Sequence, residues 1–416
     1  MASRSSAVRR PAVRRRTAFK TRGSWKTKGA SLHLGHPAVL LGMTTLALVL
    51  LGLVMILSAS SVTSFATYGS SFMFFQKQLI WAAIGLAGFA LFVKLDYHRL
   101  KGFGYGMFVL SCVLMLAVLI PGLGTLVGGS SRWLRLGPLS FQPSELAKLS
   151  LILFAADVFS RKKESTFDDL RHTLLPMLPA LGILVFLVMM QPDLGTTMLL
   201  GAIGMGMLFV AGAPLRYIIP IGLSGAGMAV VAALSSDYRR ERVLAFMNPW
   251  KDPLDTGYHT IQSLIALGSG GWFGVGLGAS RQKWAYVPNA HTDFIFAILG
   301  EEMGLLGTIV VLAMFGFLTY LGIRTARKAP DRFGMLIASG ITIWISVQAL
   351  VNIGAVTGSL PITGVPLPLV SFGGTSLVIS LMAMGILINI ARQSRETRPR
   401  RPSAGGSQRQ GNARAR

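Results

Sequence analysis

The chain has 416 residues, of which 52% are hydrophobic and 13% charged, with a mean hydropathy of +0.56. Soluble domains carry roughly 25% charged residues, so a deficit spread along the whole chain excludes a soluble globular protein and makes lipid the solvent for most side chains. Lys and Arg outnumber Asp and Glu by 40 to 16, a net charge of +24; much of that excess sits in two tails, and on a membrane-tethered chain it suits anionic head groups, with no nucleic-acid partner expected.

Residues 1–36 include Arg9, Arg10, Arg14, Arg15, Arg16, Lys20, Arg22, Lys26 and Lys28 and few large apolar residues, a composition that predicts disorder. The apolar run that follows, 37–58, is too long for a signal-peptide core and reads as a retained first span. Further runs of spanning length fall at 78–95, 103–121, 145–160, 173–190, 194–212, 215–234, 294–323, 334–356 and 372–391. The fold expected is all-α and polytopic, with about ten transmembrane helices and a large extracytoplasmic loop between the seventh and eighth. One membrane domain, 37–392, is followed by a second basic tail, 393–416. The single cysteine, Cys112, lies in an apolar run and leaves no disulfide framework.

Lys and Arg set the orientation. The N-terminal tail, Lys94, Arg99 and Lys101, Arg161 to Lys163, Arg216, the Arg324–Arg332 cluster and the C-terminal tail all fall on one side, which is then cytoplasmic. The other side is also basic: Arg132 and Arg135 in the loop at 121–144, and Arg239, Arg240, Arg242, Lys251, Arg281 and Lys283 in the loop at 235–293. Such a face attracts an anionic ligand; the plainer reading is pairing with Asp237, Glu241, Asp252 and Asp255.

Polar residues at membrane depth are expensive, so each is a functional candidate. QPSELAK places Glu145 and Lys148 at i,i+3 on one helix face as an ion pair, structural or catalytic. Gln191-Pro192-Asp193 breaks two helices, and Asp193 suits a helix cap. Tyr258 to Ser263 has the spacing of a short interfacial helix, ahead of a Gly-rich stretch. In VPNAHTDFIFAILGEE, Asp293 sits where water meets lipid at a helix start. There it could act as a general base, and spacing alone favours a plain N-cap. His291 nearby hints at a metal, without a third ligand in the string. In GSLPITGVPLPLVSFGGTSL, Pro361, Pro366 and Pro368 forbid a regular helix. Non-helical backbone at this depth must be buried in protein or line a cavity, so 358–377, with Ser371, forms a structured element beside Asp293.

PITGVPLPLVSFGGTSL resembles the signature of the SEDS family (shape, elongation, division and sporulation proteins). HTDFIFAILGEEMG, RWLRLGPLSFQPSELAKL, QPDLGT and NPWKDPLDTGYHTIQS are similar to that family's other motifs, in its order, over about 37–392. NPW, SRQKW and the basic N-terminal tail are more like the division than the elongation members. The resemblance implies a ten-helix peptidoglycan glycosyltransferase that polymerises lipid II on the outer face of the cytoplasmic membrane. It makes Asp293 the essential aspartate, and places Arg132, Trp133, Glu145, Lys148, Arg239, Arg242, Lys283, His291 and Ser371 on the substrate face. It further implies a class B penicillin-binding protein and other division proteins as partners. The loop reads Pro-Asn-Ala before His291 where many relatives have Pro-Glu-Ala, so one acidic group is absent there. Because pyrophosphate is a good leaving group, one base and several cations suffice; a divalent cation, Mg2+ or Mn2+, would serve the same end, and no organic cofactor is expected. A lipid II flippase or a noncatalytic division scaffold are the rival expectations.

Overall fold

The computed structural model describes residues 35–127, 130–136, 139–162, 175–235, 240–241, 246–284 and 291–396. Each of the ten apolar runs is a helix: α1 (Pro37–Tyr68), α2 (Met73–Lys94), α3 (Phe103–Leu119), α4 (Pro143–Ser160), α5 (Met177–Met189), α6 (Leu194–Ala211) and α7 (Leu215–Leu234), then, after a shorter helix α8 (Tyr258–Ser269), α9 (Ile295–Arg327), α10 (Arg332–Val356) and α11 (Gly374–Glu396). Seven of these are long and apolar enough to cross a membrane, and α3 and α5 are shorter apolar helices. The tenth, α4, carries Glu145, Lys148 and Asp157 among its buried residues.

Local signals set the helix ends. The His36 side chain accepts from the Ala38 amide, with Pro37 in the first turn of α1. Asp193 caps α6 by accepting from the Thr196 amide at 3.0 Å, the role its position suggests. Asp331 does the same for α10 through Gly334.

The centre of the bundle is α11, nearly all of which is enclosed; it packs on α2, α1 and α10. Close approach there depends on small residues: a Cβ on Gly374 would meet the Trp81 ring of α2 at 2.2 Å. By contrast α7 buries none of its spanning window, and its principal neighbour is α6.

One departure from helix is a small antiparallel sheet in the loop between α3 and α4: β1 (Gly124–Val127), β2 (Ser130–Leu136) and β3 (Leu139–Phe141) in that order. Thr125 faces Trp133 and Arg135 faces Ser140 across the register. Its strands are three to seven residues long, too short for alternation to stand out in the sequence. Thr375 ties the sheet to α11: its hydroxyl donates to the Ser140 carbonyl at 3.2 Å and accepts from the Gln142 amide at 3.1 Å.

Candidate active site

The N-termini of α4, α6, α9 and α11 meet at one end of the bundle, held together by the segment 357–373 between α10 and α11. That segment is non-helical, as its prolines require. Its second half is buried at Val365 and over 367–371, while Thr357, Ser359, Leu360 and Gly364 are exposed; a Cβ on Gly52 of α1 would lie 2.6 Å from the Val370 carbonyl, and one on Gly195 of α6 would lie 2.6 Å from that of Thr363. Helix N-termini carry partial positive charge and unsatisfied N–H groups, so several converging ends favour an anion.

Asp293 stands at this end, one residue before the N-cap of α9, which is Phe294. The Asn352 amide nitrogen of α10 donates to both the Asp293 and Val365 carbonyls, each at 2.8 Å. One buried side chain thereby fixes the aspartate's backbone to the 357–373 segment. The carboxylate turns toward Gly364, where an added Cβ would sit 3.7 Å from Asp293 Oδ2. His291 is anchored beside it, its carbonyl accepting from the Phe372 amide at 3.0 Å. The His291 ring lies between Phe74 and Phe372, with centroids 4.7 and 5.5 Å away. Burial pushes its imidazole down to about 4, so at neutral pH His291 is uncharged and contributes shape and hydrogen bonding, not charge.

The Glu145–Lys148 pair is real and deep. Lys148 Nζ donates to Glu145 at 2.9 Å and to Gln348 Oε1 at 3.0 Å, and the lysine is only 1% exposed. Trp344 Nε1 also donates to Gln348 Oε1, and Gln348 in turn donates to the Pro366 carbonyl. Lys148 Nζ lies 5.0 Å from the Trp344 ring centroid, an added cation–π contact. The pair thus ties α4 and α10 to the segment that faces Asp293.

Arg132, on β2, donates to the Gln191 and Pro192 carbonyls at 3.0 and 2.6 Å and lies 3.6 Å from Asp193. It clamps a turn in which Pro192 has φ +24°. Trp133, the next residue on β2, is half-buried. Ser371 accepts from the Leu367 amide at 2.8 Å and stiffens the 367–371 turn. Lys283 is 8% exposed. Its ammonium donates to the Gly278 carbonyl at 2.5 Å, and among the described residues no carboxylate pairs with it. Arg239 and Arg242 lie outside the described residues. Among the described residues no three His, Cys, Asp or Glu side chains gather to hold a metal.

Residues 38–396 match the sequence profile of the FtsW/RodA/SpoVE cell cycle proteins. The chain belongs to this family. It is 43% identical over 362 residues to the stage V sporulation protein E of Bacillus subtilis (strain 168), covering 86% of this chain and 98% of that one. To a probable peptidoglycan glycosyltransferase FtsW of Geobacter sp. (strain M18) it is 40% identical over 353 residues, covering 85% and 96%. Among solved structures, it matches one on the structural coordination of polymerization and crosslinking by a peptidoglycan synthase complex, with TM-score 0.69 and 30% identity over 85% of this chain and 97% of that one. It matches the rod shape determining protein RodA of Thermus thermophilus with TM-score 0.62 and 28% identity over 85% and 96%. The family is the one its motifs resemble, and the chain is a multi-pass membrane protein.

Against that family background, Gln348, Asn352, Glu301 and Glu302 are site-end residues that the motif reading passed over. Gln348 and Asn352 stand i,i+4 in a largely apolar helix. The cost of polar groups at membrane depth would have singled them out.

Proposed function

We propose that this chain polymerises lipid II into glycan strands at the outer face of the cytoplasmic membrane, as a peptidoglycan glycosyltransferase of cell division, with Asp293 as general base. The observation that carries the reading is the placement of Asp293. It is one residue outside the helix cap, with its carbonyl held by Asn352 and its carboxylate against Gly364. Gly364, which the carboxylate faces, is exposed, so a substrate hydroxyl has room to approach this side of Asp293.

Asp293 takes the proton from the C4 hydroxyl of the acceptor sugar. The oxygen attacks C1 of the donor, the bond to undecaprenyl pyrophosphate breaks with its electron pair, and the α-linked donor becomes a β-linked product. Negative charge accumulates on the leaving pyrophosphate, where positive groups and helix N-termini stabilise it. Lys283, buried without an anionic partner among the described residues, suits this task, with Arg239 and Arg242 of the same loop. Arg132 and Lys148 are engaged by backbone carbonyls and by Glu145, so they shape the site instead. A divalent cation would supply further neutralisation of pyrophosphate when bound. A class B penicillin-binding protein, which cross-links the product, is the proposed partner; the similarity to a chain of a peptidoglycan synthase complex supports it.

A sporulation role is the second reading, favoured by the identity to the Bacillus protein. Purified Asp293→Asn, given labelled lipid II, is the test. It should fold and insert, yet lose about 10²–10⁴-fold of glycan formation, the usual worth of a general base. Near-normal polymerisation by a well-folded variant would return Asp293 to a structural role.

A further inference from the structure

The Gly-rich stretch after α8 is spliced into α9. At Gly304 the helix breaks, with φ +68° and ψ −168°. An unbroken helix would pair the amides of Leu305 and Leu306 with the carbonyls of Glu301 and Glu302. Instead those amides donate to the Gly271 and Trp272 carbonyls, and the Glu301 and Glu302 carbonyls accept from Val275 and Gly276. The loop substitutes for the missing turn by engaging these four backbone groups. Glycine is needed on both sides of this contact: a Cβ on Gly304 would come within 2.3 Å of the Gly274 amide, and one on Gly274 within 2.1 Å of the Glu302 carbonyl.

The two side chains complete the attachment. Glu301, 1% exposed, accepts from the Ser280 hydroxyl at 2.5 Å, the Arg281 amide at 2.9 Å and the Gln282 amide at 3.4 Å. Glu302 accepts from Ser280 N at 3.4 Å and from the Ser58 hydroxyl of α1 at 2.5 Å. The Ser280 hydroxyl also accepts from the Lys283 amide at 3.3 Å. Every residue from Ile295 to Glu302 is buried, whereas Leu305 and Leu306 are exposed. The first turns of α9, with Asp293 at their head, therefore form one body with the 270–284 loop.

We infer that Glu301 is a positioning residue for the reaction: it fixes the turn at 280–283, and so the Lys283 ammonium, on the same rigid segment that carries Asp293. Both oxygens of Glu301 are occupied by hydroxyl and amide donors, and among the described residues no carboxylate pairs with Lys283, which leaves its charge for an anionic ligand. The inference rests on the polymerase reading above.

The test uses the full chain in lipid nanodiscs with Glu301→Gln, Lys283→Ala and the double variant. Gln keeps one acceptor but turns an N–H2 toward amides that need an oxygen. Hydrogen exchange in peptides covering 278–284 should speed up at least tenfold in Glu301→Gln, while 308–323 is unchanged. With labelled lipid II, Glu301→Gln should raise KM and lower kcat/KM about tenfold, as Lys283→Ala does. The double variant should fall no more than about threefold below the worse single variant, because coupled residues are not additive. Unchanged exchange would overturn the anchor, and additive losses or a fully active Lys283→Ala would overturn its action through Lys283. Failure of the polymerase reading shows separately, as activity in Asp293→Asn, and leaves the exchange result standing.

Discussion

Two aspartates at one end of the bundle are placed differently. Asp193 spends both oxygens on Thr196, the amide at 3.0 Å and the hydroxyl at 2.9 Å, and it is a cap. Asp293 has the same sequence setting, a polar residue ahead of an apolar run, yet Phe294 occupies the cap position. Spacing could not separate the two, because a shift of one residue decides it; only the HTDF string pointed to chemistry. Asn352 holds the Asp293 carbonyl, and its removal should show in rate before stability. Asn352→Ala should lower single-turnover glycan formation about 10–100-fold, since misplacement by an ångström can cost about 10²; an unchanged rate would show that Asp293 needs no such tether. His291 gives a pH signature. Its folded imidazole sits near 4 against an ordinary 6.5 or so when unfolded, so the unfolded state binds the extra proton. Stability from this group is fully present above about pH 6.5 and is lost as pH falls toward 4, by about 3 kcal/mol at most. Thermal melting of wild type and His291→Gln between pH 4 and 7.5 should show the slope flattened in the variant; parallel curves would contradict it.

At the scale of elements, the ten apolar runs were legible because length and hydropathy suffice for a span. The non-helical element expected at 358–377 was legible from its prolines, though its last four residues belong to α11, which begins at Gly374. The splice at Gly304 was not: it is made of backbone hydrogen bonds between positions about 30 apart, and only its glycines and the pair Glu301-Glu302 mark it in the sequence. The short sheet escaped for a similar reason. The Glu145–Lys148 pair was visible at i,i+3, but its link through Gln348 to Pro366 was not. That link gives a prediction. Lys148→Met should leave Glu145 buried without its cation and cost about 3–5 kcal/mol, read as a fall in melting temperature. Adding Glu145→Leu should recover most of that stability, because a buried pair replaced by apolar groups is often neutral. If the pair's task is to hold α4 and α10 against the 357–373 segment, the double variant also recovers part of the polymerase activity. A stable double variant with no activity would instead place Lys148 in the chemistry.

For the whole molecule, the charges at the ends of the helices and the exposed apolar bands imply a placement in the bilayer. From Gly304 to Arg324 along α9 is about 30 Å at 1.5 Å per residue, the thickness of a hydrocarbon core. Leu305, Leu306, Ile309 and Val310 are exposed just after the splice, an apolar face suited to lipid. Trp272 and Phe273, 67% and 82% exposed, then fall at the boundary where aromatic residues collect. The basic groups Arg324, Arg327 and Arg332 mark the opposite boundary, which the positive-inside tendency makes cytoplasmic. The charge distribution thus predicts that Asp293 and the 246–284 loop face outward, the side on which the proposed function needs lipid II sugars to be presented. Leu254, 87% exposed in that loop, is a suitable reporter. In a Cys112→Ala background, Leu254→Cys should react with an impermeant maleimide in intact cells freed of outer barriers, and Lys328→Cys only after the membrane is opened. The reverse pattern would put Asp293 on the cytoplasmic side, and with it the wrong face for polymerising an exported lipid-linked sugar.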